Sequence, residues 1–113
     1  MDIYDMTIDS GDDLFYSKSF MDTLETHLDF FRKSTSTRVV SVDAKKTAIY
    51  DGDLFGLLNE LNVEQRYHWL IMRVNNFYSN YDFGPGITSL LIPSQTEIEI
   101  IRSSYISTGV MSL

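Results

Sequence analysis

Between Tyr50 and Pro93 the chain is punctuated so often that no element there can run beyond about two or three helical turns. Asp51-Gly52-Asp53 makes a turn and supplies an N-cap, Asn62 and Asn75-Asn76 are stop signals, Gly84-Pro85-Gly86 is a turn, and Pro93 ends an apolar run. The pieces between these marks are patterned. Leu54, Leu57, Leu58 and Leu61 fall at i, i+3, i+4 and i+7 and predict a short helix with one inward face. Glu64 or Gln65 opens a second, with Tyr67, Leu70, Ile71 and Val74 on one face and Arg66 and Arg73 together on another side. Leu90-Leu91-Ile92 reads as a strand. Such a chain folds as small helices packed on a scrap of sheet, an α+β arrangement.

The flanks extend this unit. Phe20, Leu24, Leu28 and Phe31 predict one longer helix from Ser19 to Lys33, capped by Ser17 or Ser19, with Arg32 and Lys33 suited to the negative end of its dipole. Ser34 to Thr37 breaks it, and Arg38 to Val42 reads as a strand. Lys45 to Tyr50 is expected to be a second strand. Ser94-Gln95-Thr96-Glu97 matches a capping box, opening a helix with Ile98, Ile101 and Tyr105 inward. Residues 106–113 are expected to be a tail. The organisation expected is therefore an extended acidic arm (1–16), a helix-and-strand extension (17–44), a central domain (45–95) and a C-terminal helix with its tail (96–113).

Charge sharpens the picture. Net charge is −7, and Asp2, Asp5, Asp9, Asp12 and Asp13 place −5 in the first thirteen residues, leaving eleven acids against nine bases elsewhere. A nearly neutral body with an acidic arm does not suit nucleic-acid binding, which wants a basic face. No apolar run approaches the roughly 20 residues of a membrane helix, and the start lacks a secretory pattern, so synthesis in the cytoplasm is expected. With no cysteine, disulfides and thiolate chemistry are excluded. With 43% hydrophobic and 13% aromatic residues, the chain is expected to bury a core and not to be disordered.

Signals of catalysis are missing. Asp9, Gly11 and Asp13 look like a calcium loop only superficially, with Phe20 where the bidentate Glu belongs. Asp51 and Asp53 are explained by turn formation and capping. His27 and His68 have no second ligand one turn away; His27 is expected at the edge of the core, His68 at the surface or an interface. Glu97 and Glu99 point apart on a helix, and neither a Gly-x-Ser-x-Gly nor a phosphate loop occurs. The sequence nominates no catalytic, cofactor-binding or metal residue and implies no enzyme. What it nominates is an aromatic cluster, Trp69, Phe77, Tyr78, Tyr81 and Phe83, of the kind over-represented at protein interfaces. The expected interface residues are Arg66, Tyr67, Trp69, Arg73, Tyr78 and Tyr81.

The order Asp53-Leu54-Phe55, Trp69-Leu70-Ile71-Met72 with Asn75-Asn76, then Gly84-Pro85-Gly86 through Leu91-Ile92-Pro93 resembles the LysM module over roughly residues 45–95. It looks closest to the LysM-like domain of baseplate wedge proteins of contractile-tailed bacteriophages. That likeness rests further on Tyr67-His68-Trp69 opening the second helix, on the preceding helix and strand, and on Ile92-Pro93-Ser94 leading into Glu97-Ile98. The resemblance implies a virion structural subunit with a β-α-α-β core, its sheet made by Thr47–Tyr50 and Ser89–Ile92, joining other baseplate proteins in a multi-copy assembly. The alternative is a module that binds peptidoglycan or a related oligosaccharide. Modules of that kind are usually tandem, secreted and joined by Ser/Thr/Pro linkers, whereas this sequence shows one copy and no such linker.

Overall fold

The computed structural model of the chain describes residues 14–111, with side chains to residue 107. Among the described residues there are six α-helices and a two-stranded antiparallel sheet: α1 Lys18–Glu25, α2 Leu28–Lys33, β1 Arg38–Ser41, α3 Ala44–Ile49, α4 Leu54–Glu60, α5 His68–Val74, β2 Ser89–Ile92 and α6 Gln95–Met111. Single 3₁₀ turns precede α5 (Gln65–Tyr67) and β2 (Asn80–Asp82). The expectation of an extended arm over residues 1–16 falls mostly outside the described residues. Its last part is corrected: Phe15 is buried against Phe20 and Tyr67, because so thin a core needs every ring it can recruit.

The long helix expected from Ser19 is two helices. Ser17 caps the first, accepting from Phe20 N–H at 3.2 Å. At its end the Thr26 hydroxyl (2.7 Å) and His27 Nδ1–H (2.8 Å) both donate to Thr23 O, and His27 N–H tightens onto Leu24 O at 2.9 Å. Side chains thus compete for the carbonyls that a continuing helix would use. The inward stripe survives the break, with Phe20, Leu24, Leu28 and Phe31 all buried. Arg32, expected to serve its own helix end, reaches across to cap another. It donates to Val74 O at 2.9 Å and Arg73 O at 3.0 Å, placing a cation on the negative terminus of α5.

Residues 44–49 correct a larger expectation: this segment is helix, not strand. Asp43 accepts from Lys46 N–H at 2.8 Å, and Ala44, Lys45 and Lys46 are good helix formers once a cap is present. Tyr50 donates to Glu60 at 2.7 Å, and Lys46 pairs with the same carboxylate, tying α3 to α4. The partner of β2 is therefore β1, in the register Arg38↔Ile92, Val39↔Leu91, Val40↔Leu90 and Ser41↔Ser89. Three short helices lie between the paired strands.

Helices α4 and α5 end alike. Asn62 and Asn76 take φ of 64° and 67°. Val63 N–H bonds Leu58 O and Phe77 N–H bonds Met72 O, both across a Schellman turn. Beneath them one continuous core runs from Phe15 through Leu54, Leu57, Leu58, Leu70, Ile71 and Leu90 to Ile98. Helix α6 continues through residues expected to be tail, and its Ile98, Ile101 and Tyr105 face that core as the spacing implied. Its capping box is shared: Ser94 accepts from Glu97 N–H, while the Glu97 carboxylate accepts from Ser34 at 2.8 Å.

Candidate functional site: a stapled aromatic loop

Asn75 and Asn76 turn the chain out of α5 into a loop whose outer and inner pairs of rings are treated oppositely. Phe77 and Phe83 point inward, edge to face at 6.4 Å, and both are buried. Between them Tyr78 and Tyr81 are 84% and 81% exposed. This is not a loose loop that happens to carry tyrosines. Ser79 and Asp82 form a capping box around the 3₁₀ turn, with Asp82 accepting from Tyr78 N–H at 2.7 Å and Ser79 N–H at 3.2 Å. Asn80 accepts from Phe55 N–H at 2.7 Å, fastening the turn to the start of α4. Gly52, at φ 75°, donates to Phe83 O at 2.7 Å. A Cβ at Gly84 would come within 2.6 Å of the Asp51 carboxylate, which would have to swing aside to admit it.

Arg73 completes the staple from below. It donates to Phe77 O at 3.0 Å, pairs with Glu25 of α1 at 2.7 Å and lays its guanidinium 5.5 Å from the Tyr78 ring centroid. The Glu25 carboxylate holds the Arg73 pKa above its ordinary value. The tyrosine nearest to it is thus fixed by a cation–π contact to a side chain that is itself anchored twice.

The six residues expected at an interface divide. Tyr78 and Tyr81 lie on this loop, and Arg73 of α5 holds it from beneath. Tyr67 does not belong to the surface: it is buried, its hydroxyl donating to Glu99 at 2.6 Å, and burial with that carboxylate pushes its pKa well above the usual phenol range. Arg66 stands over the Tyr67 ring at 4.9 Å and bridges Glu64 at 3.2 Å and Glu99 at 3.6 Å, so it pins α6 to the core. The 3₁₀ turn before α5 accounts for the divergence of Arg66 and Arg73, since its tighter winding rotates Arg66 away from the helical register. Trp69 is half-buried and packs on the core. His68, expected outside, is buried, donating Nε2–H to Val63 O at 2.9 Å and lying 5.3 Å from the Phe55 ring. Burial lowers its pKa, favouring the neutral form.

Three residues of the site went unread in the sequence. Ser79 and Asp82 stand at capping-box spacing, a signal that was legible. Asn80 has no such mark, because its partner is twenty-five positions away.

Among the described residues, no group of three His, Asp or Glu side chains is placed to hold a metal ion, and no helix is long and apolar enough to cross a membrane. No family model, curated protein or solved structure matches the chain.

Proposed function

We propose that this chain is a structural subunit that joins other proteins, with the loop from Phe77 to Phe83 as its principal contact. The observation that carries the reading is the pairing of two almost fully exposed tyrosines with a loop fixed at every other position. Rings held in advance lose little freedom on contact, and tyrosine is enriched among residues that dominate interface energetics. On the sequence resemblance, the assembly is the baseplate of a contractile-tailed bacteriophage and the chain a LysM-like wedge protein, resident in the virion tail. The sheet has three helices between its strands where the expected β-α-α-β order has two, β1 standing in place of residues 47–50, so this part of the reading rests on the sequence motifs.

The test is co-expression of the tagged full chain with the proteins encoded by neighbouring reading frames. At least one should co-purify, and Tyr78→Ala with Tyr81→Ala should weaken that association by about 30-fold, corresponding to about 2 kcal/mol at an interface centre. Exposed tyrosines also stack on sugars, so insoluble peptidoglycan is the companion probe. Retention on it that free oligosaccharide competes away would replace this reading with glycan recognition.

A further inference from the structure

Where β1 begins and β2 ends, the surface sinks into a cleft of about 370 Å³, a size that suits a small ligand or one residue of a partner. Its walls are apolar: Tyr67, Ile71, Ile92 and Ile98 line it, and all four are buried. Arg38 stands on the rim. It is exposed, and among the described residues its guanidinium meets no carboxylate. Glu64, the acidic residue of the lining, is already paired with Arg66 at 3.2 Å and does not compensate it. A free guanidinium beside apolar walls is complementary to a carboxylate borne on an apolar group, which arginine can take through two parallel bonds.

The register of the sheet narrows the occupant further. Arg38 and Ile92 are partners across the two strands, so their side chains rise from the same face with Cβ atoms about 5 Å apart. A cation and an apolar wall that close fit one residue presenting a carboxylate and an apolar side chain from the same Cα. In a polypeptide only the C-terminal residue does so. Asn62 and Gln95 also line the cleft, and among the described residues their carboxamides make no hydrogen bond. Each offers both a donor and an acceptor, the complement of a peptide group rather than of a simple organic acid.

We propose that this cleft captures the C-terminus of a partner polypeptide ending in a large apolar residue. The terminal carboxylate pairs with Arg38, the last side chain packs on Tyr67, Ile71, Ile92 and Ile98, and the preceding peptide group meets Asn62 or Gln95. The cleft shares no residue with the aromatic loop, so this holds whether or not that loop is an interface.

Titration of the isotope-labelled full chain with the tripeptide acetyl-Ala-Ala-Leu, followed by amide chemical shifts, tests it. Saturable shifts are expected at Val63, Ile92 and Gln95, with a dissociation constant in the millimolar range. The same peptide closed as a C-terminal amide should bind about tenfold more weakly. Arg38→Gln should weaken binding of the acid by about tenfold and leave binding of the amide unchanged. Isocaproate, which keeps the branched chain and carboxylate without the peptide group, should bind about tenfold more weakly than the tripeptide. The comparison of acid with amide uses the unsubstituted chain and decides even if a variant misfolds. Equal affinity for acid and amide would overturn the proposal, as would the absence of saturable shifts at the cleft or an undiminished preference for the acid in Arg38→Gln. Isocaproate binding as tightly as the tripeptide would also overturn it, assigning the cleft to a free organic acid.

Discussion

Replacing Asn75 by alanine probes how the sheet is held to the helices. The side chain makes three contacts: it accepts from Leu91 N–H at 2.8 Å and donates to Leu91 O at 2.9 Å and Ile71 O at 2.8 Å. Leu91 sits opposite Val39 in a pair that exchanges no ladder bonds, so the carboxamide is its partner on this side. Alanine strands an N–H and a C=O on a half-buried residue. Each unmet buried group costs about 1–3 kcal/mol, and partial access of water puts the sum near the low end, about 2–3 kcal/mol. With a urea slope of about 1–1.5 kcal/mol/M for a chain of this size, the unfolding midpoint should fall by about 2 M. Asn75→Asp is the control. At neutral pH it keeps one acceptor but sets a carboxylate against two carbonyls, so it should cost at least as much and recover part of the loss when acid protonates it. A midpoint shift below about 0.5 M for alanine, or full tolerance of aspartate at pH 7, would refute this account of the sheet.

Further outcomes follow from the same geometry. Asn62, exposed at φ 64°, should lose about 1 kcal/mol on substitution by alanine and change by less than about 0.5 kcal/mol on substitution by glycine, measured by urea unfolding. His68 has a folded pKa below its unfolded value, so the unfolded chain binds the extra proton. Stability that is full above about pH 6.5 should then decline as pH falls toward the folded pKa, with a slope of up to about 1.4 kcal/mol per pH unit. His68→Gln, which retains a donor for Val63 O, should flatten that slope between pH 7 and 5. An unchanged profile would show that His68 is not its source. Tyr78→Ala with Tyr81→Ala should leave the unfolding free energy within about 1 kcal/mol of the parent, since both rings are exposed and only one has a cation contact.

Local marks were the legible part of this chain. Asp53 before Leu54, Asn62 and Asn76 at left-handed positions, and the stripe Phe20-Leu24-Leu28-Phe31 each act through neighbours within one or two turns, where spacing carries the information. Residues 45–50 misled because Thr47, Ile49 and Tyr50 have strand-like side chains, while the deciding feature was the cap at Asp43 just ahead of them. That error then reassigned the partner of β2. The fates of Arg66, Arg73 and Tyr67 were illegible for another reason. Their partners Glu99 and Glu25 are distant in sequence, and a charged residue on a helix face reads as surface until its partner is known. Tyr78 and Tyr81 were found by composition, but their rigidity depends on Asn80 and Arg73, which only the fold brings beneath them.

Oxidative footprinting of Tyr78 and Tyr81 in a purified particle of the proposed assembly and in the isolated chain tests the central claim most directly. Burial against a neighbouring protein predicts that modification of both rings falls by about tenfold or more in the particle, while half-buried Trp69 serves as the internal reference. Equal modification of both tyrosines in particle and isolated chain would contradict the claim that this loop is where the subunit joins its neighbours.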